Sequence, residues 1–325
     1  MSAALPTPGI DDPGRSAGSL RAERMRLRAQ GARSFAARFV RRRDGLIGLG
    51  ILVLFAVLAI APELFVGPLE RATTGSGKHL APPNGLHIFG TDEIGRDMLN
   101  LTIHGARISM TIGLLATAIT IVVGAAIGVV AGFVGGRLDN ILMRVTDFFL
   151  VLPTFVLALI LAPVILDIVG IQAEFLGIRA TLIVIVIVIG ITSWATTARI
   201  IRSQTLSIRE RMFVDRARVI GGGPGHIMRR HIYPNVVNLI VAQSVLTFAT
   251  AVFTETTLSF IGLGDPRAPS WGQILNAAEG AGAPGLRAWW YIAPPAVCVV
   301  LVVLAFTLVG NALDDILNPK SSTRR

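Results

Sequence analysis

Few residues in this chain have the types and spacing that chemistry would need. The stretch ATTGSGKH, Ala72 to His79, is the nearest approach to a phosphate-binding loop. Such a loop reads G-x-x-x-x-G-K-[ST], cradles phosphate with backbone N–H groups and holds magnesium through its Ser/Thr. Here Ala72 stands in place of the first glycine and His79 in place of the Ser/Thr. A second glycine-rich run, Gly221 to Gly225, contains Pro224, which has no N–H to offer, and no lysine follows at the needed place. The five histidines, 79, 87, 104, 226 and 231, are scattered. His226 and His231 are five apart and miss the i, i+4 spacing of a helical metal pair. Cys298 is the sole cysteine, so it has no companion for an intrachain disulfide or a metal site. No serine–histidine–aspartate or paired-carboxylate set stands out. The sequence therefore assigns no catalytic residue, no metal and no cofactor to this chain, and it does not bind ATP by itself.

The elements around these residues belong to a membrane. Of 325 residues, 52% are hydrophobic and only 15% charged, against about 25% charged in a soluble domain. Mean hydropathy is +0.65. A spanning helix needs about 20 apolar residues, each adding roughly 1.5 Å across a core of roughly 30 Å. Six stretches qualify: Gly45 to Val66, Ile108 to Phe133, Phe148 to Val169, Ala180 to Ile200, Val236 to Phe260 and Tyr291 to Leu313. The first is read as an uncleaved span. Ala59 and Ala61 form an A-x-A pair, but the preceding region is too long for a signal peptide of about 15–30 residues.

Net charge is +10. The positive charges flank the apolar runs, which fits orientation in a bilayer better than nucleic acid binding. Counting Arg199 with the loop it adjoins, 23 of the 30 Lys and Arg lie on one side of the six spans. The acidic residues divide evenly, so the asymmetry is basic, as the positive-inside rule requires. Both termini and the loop after span four are therefore expected in the cytoplasm. The division read from sequence is a basic, largely disordered tail at 1–44, a first span with an outward segment at 45–107, a membrane core at 108–313 and a cytoplasmic tail at 314–325. Nine arginines between Arg21 and Arg43 make the first tail an orientation signal that also suits anionic headgroups.

Inside the spans, Gly124, Gly128, Gly132 and Gly136 recur every fourth residue and make one stripe for close helix packing. Asp147 stands at the start of span three, one turn after Arg144, a spacing that allows an ion pair. Glu255 lies near the outward end of span five, where a carboxylate must face protein or water. It reads equally as a pathway or gate residue and as an interfacial acid. Ser259 and Phe260 beside it complete a guessed pathway set with Asp147.

The most basic loop, 201–235, contains FVDRARVIGGGPGHIMRRHIYPN, Phe213 to Asn235. Phe213, Ala217 and Ile220 fall at i, i+4, i+7, with Arg216 and Arg218 beside them. Gly221 offers a helix C-cap, and a second short helix is expected after Pro224-Gly225, stopped by Pro234. This helix–turn–helix suits docking to a protein groove and resting on headgroups equally well.

The segment resembles the cytoplasmic loop of ABC-importer permeases, E-A-A, three residues, Gly, then H-I-L-P-N. Here it reads Asp215-Arg216-Ala217, Gly221, then His231-Ile232-Tyr233-Pro234-Asn235, with Asp for Glu, Arg216 for Ala and Tyr233 for Leu. FGTDEIGRDMLNLTIHGARISMTIG (89–113), GGRLDNILMRVTDFFLVLP (135–153) and ETTLSFIGLGDPRAPSWGQIL (255–275) are similar to the second permease subunit of dipeptide and oligopeptide importers, in that branch's order. The resemblance covers about Leu46 to Asn318. It implies an all-α polytopic protein of the type I ABC importer permease fold, with six transmembrane helices and a cytoplasmic coupling helix. It further implies a prokaryotic plasma membrane location, a homologous second permease, two ATPase domains that bind ATP and Mg, and an extracytoplasmic substrate-binding protein. Asp215, Ala217 and Gly221 fall on the coupling motif; Phe213, Arg216, Arg218 and Ile220 join them from the helical face. The substrate class implied is peptide, with haem, nickel chelate or glutathione as alternatives within the class. An ion-coupled carrier is the rival outside it, disfavoured by the lack of an ionisable chain through the membrane centre.

Overall fold

The computed structural model describes residues 37–70, 74–75, 77–170, 173–175 and 178–317. The N-terminal tail up to residue 36, the C-terminal tail from 318, and Ala72, Thr73 and Ser76 of the ATTGSGKH stretch lie outside the described residues.

Apolar runs bounded by glycine, proline and charge give helices α1 (Arg43–Ile60), α2 (Glu63–Val66), α3 (Met98–Val134), α4 (Gly136–Val151), α5 (Thr154–Val169) and α6 (Ala180–Arg209). A two-residue antiparallel pair, β1 (Glu174–Phe175) with β2 (Ile178–Arg179), joins α5 to α6. Then follow α7 (Met212–Val219), α8 (Pro224–Ile227), α9 (Tyr233–Leu258), α10 (Trp271–Gly280) and α11 (Trp289–Leu317). Wide π-turns at Met228–Ile232 and Ser259–Leu263 link α8 to α9 and extend α9, so one helical run covers 224–263. Among the described residues, five helices are long and apolar enough to cross a membrane, or six if the bent pair α4–α5 counts as one span.

That pair corrects the expected third span. Phe148 to Val169 is not one straight helix: the chain turns by 89° between α4 and α5. Pro153 lacks an N–H and disfavours helix at Leu152, whose backbone is extended (φ −77°, ψ 129°). Pro234 behaves otherwise. It was expected to stop a helix, yet the run passes through it. Pro234 lies in the first turn of α9, directly after the π-turn. There a missing N–H and a widened ring are tolerated.

The centre of the molecule is the parallel pair α3 and α6. A Cβ added at Gly128 would lie 2.5 Å from the Ala198 carbonyl oxygen, at Gly124 2.7 Å from Thr197 Cβ, and at Gly132 2.8 Å from Thr205 Cβ. Three members of the glycine stripe thus face one partner. Gly136 does not. It lies beyond the end of α3, with φ +62° and nothing within 4 Å of its Cβ position, and serves the turn into α4. Three further long helices follow, each antiparallel to the neighbour it packs on: α9 on α3 through Gly113 against Val252, α11 on α9 through Gly310 against Leu246, and α1 on α11 through Gly45 and Gly48 against Ala312 and Val309. Arg107 of α3 closes α1. It donates to the Ala59 and Ile60 carbonyls (3.0 and 2.9 Å) and bidentately to Glu63 (2.7 and 2.9 Å). These bonds hold the Glu63 carboxyl below the usual carboxylate range.

Gly128→Ala should cost about 1–3 kcal/mol, because its methyl meets backbone rather than a movable side chain. Gly50→Ala, with nothing within 4 Å, is the control. Thermal unfolding of the two variants in detergent measures the difference.

Candidate functional site: a docking segment and a hydroxyl-lined trough

The helix α7 begins two residues after the Glu210 cap of α6 and ends in a Schellman motif. Gly222 N–H donates to the Ala217 carbonyl (2.9 Å) and Gly221 N–H to that of Arg218 (3.0 Å). Gly221 has φ +84°, the left-handed conformation expected of this cap. Val214 and Ala217 are buried in a cluster with Val129, Phe133, Ile208, Ile227, Ile232 and Val236, and Phe213 packs against it. The Phe213 and His231 rings approach to 6.1 Å.

This packing divides the stripe expected from sequence. Phe213 and Ala217 face inward and anchor α7. Ile220 faces outward at 84% exposure, with Val219 at 86% and Met212 at 75%. Asp215, Arg216, Arg218 and Gly221 are also exposed. Asp215 pairs with Arg218 at 2.9 Å. The outward face is thus three bare apolar side chains among charges, and Phe213 and Ala217 are its supports.

The base of the segment is braced by arginines of α6. Arg202 grips Asp139 of α4 bidentately at 2.6 Å on both arms. Arg199 pairs with Asp147 at 2.5 Å. The spacing from Arg144 allowed Asp147 a pair along its own helix; its partner is Arg199 of α6 instead.

A trough of about 520 Å³ opens between α5, α6 and α9. Eight of its twelve lining residues carry hydroxyls: Thr154, Ser193, Thr196, Thr197, Thr247, Thr250, Thr254 and Thr257. Gln243 joins them, and among the described residues no charged one does. Thr250, Thr254 and Thr257 donate their protons to backbone carbonyls of α9 at 2.8 Å. Each such oxygen keeps its lone pairs as acceptors. Phe253, lining the same wall, is 59% exposed.

None of the four guessed pathway residues lines this trough. Glu255 is 0% exposed on another face of α9. It accepts from Ser259 (2.9 Å) and, at 3.4 Å, from Thr256. The hydroxyls of Ser109 and Ser270 turn to it as well. Ser259 is buried beside it, while Phe260 is 41% exposed at the start of the second π-turn.

Residues 124–323 match the family described as "Binding-protein-dependent transport system inner membrane component". The chain belongs to this family. It is 34% identical over 286 residues, 87% of its length and 88% of the relative's, to "Oligopeptide transport system permease protein OppC" of Bacillus subtilis (strain 168). It is 35% identical over 287 residues, 87% of its length and 84% of the relative's, to "Dipeptide transport system permease protein DppC" of the same organism. Among solved structures, inward-facing conformations of the MetNI methionine ABC transporter align with a TM-score of 0.53 at 20% identity, over 68% of this chain and 97% of that one. The fold is therefore the type I ABC permease fold that the resemblance implied.

In this permease, sequence reasoning missed Met212 and Val219 on the outward face and the whole hydroxyl lining. A signal was present for the second: Thr247, Thr250, Thr254 and Thr257 are spaced three, four and three apart in an apolar span. The first depended on the tertiary packing of Val214, which is fully buried.

The two faces of α7 separate by substitution. Val214→Asp should abolish accumulation of folded permease, since it puts a charge in the cluster. Val219→Asp should leave the yield within about twofold, as surface changes fall within ±0.5 kcal/mol. Size-exclusion profiles of the detergent-extracted variants report both.

Proposed function

We propose that this chain is one of two permease subunits of an ATP-driven importer for peptides. The observation that carries the reading is the exposed apolar face of α7, set on the segment whose Asp215, Ala217 and Gly221 match the coupling motif. A short helix with three bare apolar side chains and charged flanks fits a groove on another protein. That protein would be an ATPase domain, and two such domains would bind the ATP and Mg that drive transport. The basic asymmetry of the loops supports a cytoplasmic side for this face and both termini, and the family resemblance supports a prokaryotic plasma membrane. An extracytoplasmic binding protein would deliver the substrate to the opposite end.

The trough supports the pairing and the substrate. It is one wall of a pathway, open on one side, and a homologous permease would supply the other wall. Its lining offers acceptors without charge. Such a surface accepts backbone N–H groups of a peptide and does not select among charged side chains. The relatives named above are designated for oligopeptides and dipeptides. Glu255, Ser259 and Phe260 in this reading hold the far end of α9 in place, where they had been guessed to form a gate.

With its partner subunits in proteoliposomes, the permease should support peptide uptake that needs ATP and persists with an uncoupler. Uptake that follows an ion gradient and ignores ATP would overturn the reading. Gly221→Asp should reduce ATP-driven uptake at least about tenfold with normal insertion. The left-handed φ of +84° strains any side chain by roughly 1–2 kcal/mol, and the new charge adjoins the docking face. Met212→Asp combined with Val219→Asp should do the same, measured by uptake and by co-purification of the ATPase.

A further inference from the structure

We propose that the permease holds one anionic glycerophospholipid between α3 and α9, an acyl chain lying in an apolar groove and the phosphate resting on Arg229 and Arg230. Two adjoining cavities make the site. The first, of about 450 Å³, is walled by α3 residues such as Ile121, Ala125 and Val129 and by Ile240 of α9, with Met228 and Tyr233 at its other end. The second, of about 360 Å³, is bounded by His226, Arg229, Arg230 and Pro234. Arg229 lines both, so an apolar slot runs directly into a basic mouth.

Three features select the occupant. The slot lies along two helical runs that are apolar enough to cross a membrane, so lipid chains are its natural solvent. Val122 at its edge is 68% exposed. Arg229 and Arg230 are both exposed, and among the described residues neither takes part in an ion pair. Among the described residues, no acidic one lines either cavity. A planar guanidinium binds phosphate bidentately, and basic pockets between spanning helices on the cytoplasmic side take anionic headgroups. Tyr233, 52% exposed where the slot meets the mouth, is the residue type that settles at headgroup level. The π-turn at Met228–Ile232 delivers consecutive arginines to this mouth.

The site adjoins the docking segment. Ile227, next to Met228, belongs to the buried cluster that anchors α7 through Val214 and Ala217. A lipid seated here braces the joint between α8 and α9 from the bilayer side and so favours productive coupling. The placement of the mouth at the cytoplasmic leaflet rests on the orientation proposed above.

The test uses the whole transporter in nanodiscs of phosphatidylcholine with increasing phosphatidylglycerol, with retained lipid counted by mass spectrometry. The wild type should retain phosphatidylglycerol in preference to phosphatidylcholine. Arg229→Gln with Arg230→Gln should weaken that retention by about 30-fold, from the usual contribution of two basic residues near an anionic surface. Ala126→Trp, which fills the slot and leaves the arginines, should also lose it. Equal retention of both lipids, or unchanged retention in both variants, would overturn the proposal. So would displacement of the lipid by glycerol phosphate alone, or cross-linking of a photoreactive residue at position 126 to the second permease. Retention does not require transport, so a transporter that retains no phosphatidylglycerol yet takes up peptide with ATP in proteoliposomes would refute this site and leave the function standing.

Discussion

The close approach of α3 to α6 governs the rest of the permease. In a bilayer, apolar side chains gain nothing by leaving lipid for each other, so helices associate through packing and hydrogen bonds. Gly124, Gly128 and Gly132 remove the side chains that would keep the two backbones apart. With that seam fixed, α6 can present Ser193, Thr196 and Thr197 to the trough and Arg199 and Arg202 to α4. The seam also dictates connectivity. Two neighbouring helices can run parallel only if the chain returns between them, and the return is made by α4 and α5 with their 89° turn.

Most polar groups within the apolar body find a partner on the protein; Asn100 Oδ1 and Gln273 Oε1 are buried without one. The threonines of α9 donate to carbonyls one turn back. Glu255 is enclosed by hydroxyls from α3, α9 and the approach to α10. Ser109 of that group also accepts from the Trp271 N–H (3.1 Å), while the Trp271 ring N–H donates to Thr102 (2.9 Å). The carboxyl is thereby part of the joint that fixes α10 onto α3. This explains why an acid sits so deep without touching the trough.

Much of this was legible in the sequence because the bilayer leaves few choices. Five of the six expected stretches became long helices, since length and hydropathy decide them, but their ends moved: α1 stops at Ile60, α3 begins at Met98, α6 runs on to Arg209 and the run through α9 begins at Pro224. The sixth broke because Pro153 overruled an apolar run. The glycine period was readable for three positions and failed at Gly136, where the helix had already ended. The segment around α7 could be found by motif spacing, and Gly221 adopts the cap conformation assigned to it. Which side of α7 faces out could not be found that way. Phe213, Ala217 and Ile220 fit one helical stripe, but burial depends on what α8 and α9 bring against the helix, and that lies 10 to 20 residues away in the chain.

The run 224–263 has no break from Pro224 to the positive φ of Gly262. At 1.5 Å per residue such a run extends about 60 Å, twice the thickness of the hydrocarbon core. It behaves as a tiller. One end lies beside α7, the shaft carries the acceptor-lined wall of the trough, and the tip reaches the Glu255 joint. From Tyr233 to Leu258 the helix is unbroken, so beyond the π-turn at Met228–Ile232 no hinge lies within the shaft. The wall and the tip therefore move together, as a single rigid part.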